Sequence, residues 1–492
     1  MLRLLIVLTI FSYAHASQST AIEWEALLHY KNGKSLIRGE SSFFISPDGY
    51  KNQTAELEAT ITALLNDPKA QCKYPARLEF LLENGMIETN RLPKTDCEEY
   101  ETYLQKVPFE RIYAVFVSED QSNPASIMGH TILKIAGKDD EGVTREHSFS
   151  FMALMNENGN LNRYINAVLG GSEGSYVLSP YYKTIETYIY NELRSLWEFE
   201  LNLSSKAKER LKKHLWELKE TPMLYQFITH NCNTAIEMAL SAADKTFSND
   251  KYWFFSTPVE YLQELSQKDK IKNISVQPSK SNSYSMARFG AYYPLNMPGA
   301  SRAAIEGFDG GFRLSILPSY RDKRALSNAS VTQYESKILE LEVRFDKKGV
   351  SLERFNLIST ESIGDYRVIG LSKTFRLALE ENTKGVFEWG RGIGFSPLRG
   401  ATIYTIGKIG TVIKSKTDFF AVANVGLIAY LGTNAKLLAS YERSWENNAK
   451  GFKEESNVFA VYAPLSLDWD IHAGLKSKEG KLNTSVGFSV YF

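Results

Sequence analysis

The 492-residue chain has only three cysteines and no excess of charge of either sign. Lysine and arginine number 57, and so do aspartate and glutamate, so the basic balance typical of nucleic-acid-binding proteins is absent. The apolar run FFAVANVGLIAYLG extends over about 14 residues, which is too short for a membrane-spanning helix. No paired histidine or cysteine spacing indicates a metal site, and we expect neither a metal nor a cofactor.

The N-terminus has the order of a secretory signal peptide. Arg3 supplies a positive charge, Leu4 to Phe11 form an apolar stretch, and Ala14-His15-Ala16 is a small-x-small cleavage pattern. We predict that residues 1–16 are removed. The alternative is that this stretch forms a buried N-terminal helix.

Export to an oxidising compartment gives the three cysteines different roles. Cys72 and Cys97 lie 25 residues apart in one helical-looking region and are the predicted disulfide. Cys232 is then a free thiol, which is a liability in such a compartment unless it is buried or used. Its position alone does not decide between a packed core cysteine and a reactive one.

Hydrophobic periodicity divides the rest of the chain into three parts. Residues 17–108 show the three-to-four spacing of helices. Residues 109–280 mix strand-like runs (RIYAVFVS, HTILKI, EHSFSFMA) with helical ones (TIETYIYNELRSLWEF, SSKAKERLKKHLWELKE and a helix that begins near Cys232). In residues 281–492 about a dozen alternating segments follow one another. The fold class is therefore α+β with a C-terminal antiparallel β region.

The final segment, KLNTSVGFSVYF, alternates with a period of two. Leu482, Val486 and Phe488 share one face with Phe492, and small or polar residues occupy the other. Segments of about ten residues with one apolar and one polar face are typical of transmembrane β-barrels. We predict such a barrel of about 10–12 strands over 281–492, with a soluble β-sandwich as the alternative.

The sequence around Cys232 favours a thiolate. Asn231 is a good N-cap residue and Thr234 lies in the first turn, so unpaired N–H groups and the positive helix end would stabilise negative charge on sulfur. The simpler alternative is that Asn231 only caps the helix and Cys232 only packs. Ser126, in the preceding polar loop SEDQSNPASIMG, would either lend a donor to the site or satisfy its own loop backbone.

A histidine distant in sequence is expected to act as the base. His130 opens one strand and His147 lies on the next, and a turn centred on 138–140 would make them diagonal neighbours on one face. His130 would then deprotonate the thiol and His147 would orient it. His230 adjoins the cysteine, but side chains two positions apart usually point apart. His29 and His214 are expected to be solvated on amphipathic helices.

The order strand-histidine, then Asn-Cys opening a helix, resembles the circularly permuted papain-like group that includes lecithin:retinol acyltransferase. SIMGHTILKI, ELRSLWEFELNLSSKAKERL and YQFITHNCNTAIEMAL resemble more specifically the periplasmic domain of the Lnb family of bacterial lipoprotein N-acyltransferases, over roughly residues 105–250. The resemblance implies a papain-like catalytic domain over 109–280, with Cys232 as nucleophile and His130 as base. Ala235 stands where that family often has an arginine.

These observations lead us to expect a periplasmic cysteine acyltransferase anchored in the outer membrane by its barrel. It would move an acyl chain from a phospholipid through a Cys232 thioester to the N-terminal amine of a lipoprotein. A papain-like peptidase or amidase acting on peptidoglycan is one alternative. A non-catalytic barrel protein with a periplasmic binding module is the other.

Overall fold

The structure is a computed structural model of the whole chain. It describes residues 20–39, 41–120, 126, 128–153, 171–219, 221–227, 229–249, 257–280, 283, 293–321, 333–364, 371–381, 384–398, 401–413, 417–431, 435–446, 452–464, 466, 468–478 and 480–492. The predicted signal peptide lies outside the described residues.

The chain folds as two compact units. The first unit comprises Met1–Val117, His130–Asn191 and Leu196–Gln277, and the second comprises Ser118–Gly129, Glu192–Ser195 and Pro278–Phe492. The segments 17–108 and 109–280, which we treat as separate domains in the sequence, thus fall mostly into one unit.

The first unit contains both helices and strands. Its helices are residues 20–27, Gln53–Asn66, Pro68–Lys73, Pro75–Glu83, Glu98–Lys106, Tyr181–Ile185, Ser205–Leu218, Cys232–Ala243 and Pro258–Gln267. A seven-stranded antiparallel sheet has the spatial order Pro222–Tyr225, Ser172–Pro180, Thr144–Ala153, His130–Lys138, Arg111–Val117, Leu196–Leu201 and Ile271–Gln277. The α+β class and the three strand-like runs are confirmed.

The long helix predicted over TIETYIYNELRSLWEF is wrong in its second half. Helix Tyr181–Ile185 continues as a π-helical stretch over Glu186–Asn191, and the chain then enters strand Leu196–Leu201. Leu193 has φ of 56°, a left-handed conformation that a helix does not continue through. The strand pairs on both sides, so tertiary hydrogen bonding overrides the local helical periodicity.

The N-terminal helices are tied together and to the rest of the first unit. The predicted disulfide between Cys72 and Cys97 is present, with Cα atoms 5.3 Å apart. The indole of Trp216 donates to the Cys72 carbonyl at 2.8 Å. Glu217, on the same helix as Trp216, accepts the backbone N–H of Ala76 at 2.7 Å. Residues 17–108 therefore share one core with helix Ser205–Leu218.

The second unit contains one large antiparallel sheet. Within the described residues it has 13 strands, one of which, Ser319–Arg321, is only three residues long. Without that short strand, the sheet has the upper number of strands that we predict. The strands are Arg302–Phe308, Gly311–Leu317, Ser319–Arg321, Gln333–Asp346, Gly349–Ile363, Ser372–Glu380, Lys384–Leu398, Ala401–Ile413, Thr417–Leu431, Ala435–Glu446, Phe452–Pro464, Trp469–Lys478 and Lys481–Tyr491.

The ends of this sheet pair with each other. The first strand, Arg302–Phe308, is antiparallel to the last, Lys481–Tyr491. The second, Gly311–Leu317, pairs with Gln333–Asp346 as well as with the first. Each strand of seven or more residues consequently has a hydrogen-bonded partner on both sides, which removes the open edges of a flat sheet.

Many large apolar side chains of this sheet are exposed. Ile409 is 61% exposed, and Val486 and Leu482 are each 63% exposed. Trp389, Phe419 and further large apolar residues are exposed in the same way. This confirms the alternation predicted for the final segment, with its apolar face turned outward.

Charged side chains occupy the opposite, buried face of the same sheet. The ammonium group of Lys408 lies 3.7 Å from Glu361, 3.6 Å from Glu388 and 3.4 Å from Glu442, which are on three other strands. A soluble protein has the reverse distribution, with apolar residues inside and charges outside. No helix in the described part of the chain is long and apolar enough to cross a membrane.

Candidate active site

Cys232 is the first residue of helix Cys232–Ala243, which we name the cysteine helix. Asn231 caps it: its side-chain oxygen accepts the N–H groups of Asn233 at 3.0 Å and Thr234 at 3.2 Å. The Asn231 amide nitrogen in turn donates to the Phe227 carbonyl at 3.2 Å. Cys232 is 8% exposed and is not in a disulfide. The predicted helix start and its cap are confirmed.

The cysteine helix packs on the sheet beside the start of strand His130–Lys138, which we name the histidine strand. Thr131 donates to the side-chain oxygen of Asn233 at 3.3 Å, and both residues are fully buried. His130 immediately precedes Thr131, and Cys232 immediately precedes Asn233. This contact therefore brings the beginning of the strand next to the beginning of the helix, although 102 residues separate the two partners.

His130 is half-buried and is the first residue of its strand. Its ring lies against Tyr188, with centroids 6.1 Å apart. Tyr188 belongs to the π-helical stretch Glu186–Asn191, and such stretches are frequent at functional sites.

The predicted pairing of His130 with His147 is wrong. His147 is opposite Ile135, five positions along the strand from His130. Because side chains alternate between faces, an odd offset also directs the two histidines to opposite faces of the sheet. The turn is centred later than we expect, at Asp139–Gly142, where Asp139 accepts from the N–H of Val143 at 2.8 Å. His147 shares the sheet face of Thr131, on which the cysteine helix packs, but it lies opposite Ile135, four positions beyond Thr131 along the strand.

Two supporting residues act locally. Thr234 donates to the carbonyl of Thr229 at 3.4 Å and so holds the loop before the cysteine. The Ser126 carbonyl accepts the N–H groups of Asp120 and Gly129, each at 3.0 Å. These contacts fit the alternative in which Ser126 satisfies its own loop.

Tyr225 is a further candidate for the site, which the sequence patterns do not indicate. Burial raises its pKa, and a negative charge on Cys232 would raise the pKa further, so the phenol stays protonated as a hydrogen-bond donor. The signal in the sequence is weak, since Tyr225 only ends a four-residue strand ahead of the motif.

His230 is held in the loop that leads to the cysteine. Its Nδ1 lies 2.7 Å from the Thr229 hydroxyl and 3.0 Å from the Gln226 side-chain oxygen. Burial lowers the pKa of His230 to about 4, and the nearby charges of Lys31 and Lys34 contribute to the lowering. A His230 of such low pKa, with its Nδ1 already engaged, fits our expectation that it is not the base.

His29 and His214 are not solvated, contrary to our expectation. Both are fully buried, and their Nε2 atoms lie 2.9 Å apart. Burial lowers the pKa of His29 to about 3, and burial together with His29 and Arg77 lowers that of His214. Amphipathic periodicity does not reveal such a pair because it depends on two segments 185 residues apart.

The described residues contain no group of three or more histidine, cysteine, aspartate or glutamate side chains able to hold a metal ion.

Comparison with known families assigns two segments of the chain. The model of the Lnb N-terminal periplasmic domain matches residues 99–268, which include Cys232, His130 and Tyr225. The predicted resemblance is confirmed for this segment. A domain of unknown function, DUF7843, matches residues 17–84. A search of curated proteins gives no match.

Comparison with solved structures returns outer-membrane proteins. A KdgM porin in complex with disordered oligogalacturonate is 12% identical, with 39% of this chain and 98% of that chain covered and a TM-score of 0.28. The β domain of the Bordetella autotransporter BrkA is 11% identical, with the same two coverages and a TM-score of 0.24. An anion-selective porin from Comamonas acidovorans is 10% identical over 78% of this chain and 97% of that chain, with a TM-score of 0.20.

Proposed function

We propose that this protein is an outer-membrane-anchored periplasmic acyltransferase that uses Cys232 as its nucleophile. The observation that carries the proposal is the contact of Thr131 with Asn233, which sets His130 and Cys232 at adjoining ends of a strand and a helix. A cysteine at a capped helix start, packed on an antiparallel sheet that bears a histidine, is the arrangement of papain-like enzymes.

The location follows from the two faces of the second unit and from the family of the first. A sheet with exposed apolar side chains and buried charges is stable where its exterior is hydrocarbon, as in an outer-membrane β-barrel. The matched family domain is periplasmic by its description. The protein is thus placed in the outer membrane with its first unit in the periplasm.

The chemistry begins with the thiolate. The N-terminal end of the cysteine helix stabilises the negative sulfur, and the imidazole of His130 takes the thiol proton. The thiolate then attacks the ester carbonyl of a phospholipid, and the protonated phenol of Tyr225 is our candidate donor to the oxyanion that forms.

Collapse of this intermediate breaks the ester bond. The lysophospholipid alkoxide leaves with the proton from the imidazolium, and the acyl chain remains on Cys232 as a thioester. An N-terminal amine of a lipoprotein then attacks the thioester, forms the amide and releases the thiol. Attack by water would give hydrolysis instead, so the acceptor distinguishes a transferase from a peptidase or amidase.

The test is acyl transfer by the purified full-length protein in phospholipid vesicles. We expect intact-mass analysis to show an acyl adduct on Cys232 and its loss when a diacylated lipopeptide with a free amine is added. Cys232→Ala abolishes both, and His130→Gln slows adduct formation about 100-fold or more, the usual contribution of a general base. His147→Gln is the matched control and retains the wild-type rate.

Two results contradict the proposal. If muropeptides are cleaved in a Cys232-dependent way while no acyl chain moves, the protein is a peptidoglycan hydrolase. If Cys232→Ala changes neither lipoprotein acylation nor cell-wall products, the first unit is a binding module without this catalytic activity.

A further inference from the structure

A lysine pair projects beside the loop that leads to Cys232. Tyr30–Lys31 and Lys34–Ser35 form a two-stranded hairpin, which we name the lysine hairpin, and Lys31 is directly opposite Lys34. Like charges at directly opposite positions repel each other and destabilise a hairpin. Both lysines are exposed, and neither forms an ion pair with any described carboxylate.

The lysine hairpin is anchored by hydrogen bonds. Asn32 and Gly33 have φ of 55° and 78°, as expected for the two-residue turn that joins such strands. The Tyr30 hydroxyl donates to the Gly49 carbonyl at 2.6 Å, and the N–H of Ser35 donates to the Tyr50 carbonyl at 2.7 Å. The backbone that carries the two lysines is therefore tied to the segment around Gly49 and Tyr50.

Backbone pairing fixes this hairpin next to the catalytic loop. The N–H of Leu224 donates to the carbonyl of Leu36 at 3.1 Å, and Ile37 forms a bridge with Met223. The chain continues from Leu224 through Tyr225 into the loop that ends at Cys232, while the hairpin continues from Leu36 in the antiparallel direction. The lysines and the loop thus lie next to each other at this edge of the sheet.

The electrostatics of the loop agree with this placement. His230, two residues before Cys232, has its pKa lowered first by burial and then by the charges of Lys31 and Lys34, so both ammonium groups act on this loop. The described loop residues Thr229 and Asn231 are uncharged, and the loop has no described carboxylate. A region with two positive charges, a helix N-terminus and no ion pair from either lysine to a described carboxylate is suited to an anion.

We propose that Lys31 and Lys34 bind the phosphate of the phospholipid acyl donor and so orient its ester carbonyl toward Cys232. This assignment rests on the proposed function for the identity of the ligand. It gives the segment matched by DUF7843 a role in donor recognition. Donors without a phosphate, such as diacylglycerol, would be held only by their acyl chains.

Binding is tested separately from catalysis. Full-length Cys232→Ala protein in detergent is titrated with the short-chain lipid dihexanoyl phosphatidylglycerol, and binding is followed by calorimetry. We expect Lys31→Gln combined with Lys34→Gln to weaken binding about tenfold or more, since two charge-assisted contacts are removed. Lys69→Gln with Lys94→Gln is the control, because it removes the same charge from two other exposed lysines and should leave the affinity unchanged.

Two further arms identify the source of the phosphate and the role in turnover. Inorganic phosphate is expected to bind more weakly than the lipid, and equal affinity would overturn the assignment to a lipid headgroup. With Cys232 present, the variant with both Lys31→Gln and Lys34→Gln should form the adduct slowly at limiting phosphatidylglycerol and at the wild-type rate at saturating phosphatidylglycerol. Its rate with diacylglycerol should equal that of the wild type. Unchanged lipid affinity in the double hairpin variant would refute the inference, whether or not acyl transfer is observed.

Discussion

The buried pair His29 and His214 makes the stability of the first unit depend on pH. The pKa of both histidines is lowered in the folded state, and that of His29 falls from 6.5 to about 3. The unfolded chain therefore binds two protons below pH 6.5 that the folded chain excludes. The stabilisation from this pair is fully present above pH 6.5 and is lost as the pH falls.

Glu217 opposes this trend. Burial raises its pKa from 4.5 to about 7, so the folded state keeps a proton that the unfolded state has released. Its contribution is present below pH 4.5 and is lost as the pH rises through about 7. Each proton by which the folded and unfolded states differ changes the free energy of unfolding by about 1.4 kcal/mol per pH unit. Between pH 6.5 and about pH 5, the two histidines therefore lower the free energy of unfolding by about 4 kcal/mol, and Glu217 raises it by about 2 kcal/mol. The net loss is about 2 kcal/mol, or roughly 30-fold in the folding equilibrium.

The measurement is pulse proteolysis in urea of the full-length protein in detergent, with the first unit followed as a protected fragment. We compare wild type with His29→Gln combined with His214→Gln, because glutamine retains hydrogen-bonding groups and does not titrate. Wild type should lose stability on acidification, whereas the double variant should lose none and gain from Glu217. An equal loss in both proteins would show that the pair does not titrate as its burial requires.

Three further outcomes are expected. Asn231→Ala removes the cap of the cysteine helix and should lower the free energy of unfolding by about 1 kcal/mol, with a raised thiol pKa readable from the pH dependence of alkylation. Replacing Cys72 and Cys97 with serine should cost the first unit about 3 kcal/mol in chemical denaturation, and no effect would mean that the helices are held by packing alone. Val486→Arg should make the free energy of folding into vesicles less favourable by about 2–4 kcal/mol, the cost of an arginine near the bilayer midplane, and so lower the yield of folded protein. Ser485→Arg, on the other face of the strand, should be tolerated.

Residues that act through their immediate neighbours are predictable from the sequence. Asn231 caps the cysteine helix because its side chain reaches the N–H groups two and three positions on, which needs no distant partner. The alternation of the final strand survives in the fold because a strand with one apolar face has only one stable orientation. The disulfide between Cys72 and Cys97 is predictable for another reason, since the chain has only three cysteines and these two lie in one helical region.

The relation of His130 to His147 needs more than local information. A turn that begins one or two residues later shifts every pair along the hairpin, and the hydrogen bonds of Asp139 with Gly142 and Val143 set the turn. The period of two in each strand is satisfied by either register. Sequence periodicity therefore predicts both strands correctly and still places the second histidine at the wrong site.

The sequence by itself determined most of the helices and strands, the capped thiol at Cys232, the disulfide and the outward apolar face of the final strand. Apart from the disulfide, which follows from the small number of cysteines, each depends on contacts within a turn or on a simple repeat. Only the tertiary structure decided that the lysine hairpin adjoins the loop before Cys232 and that His29 is buried against His214. These approaches join segments far apart in the chain, and they arise from burial and strand pairing that no local pattern records.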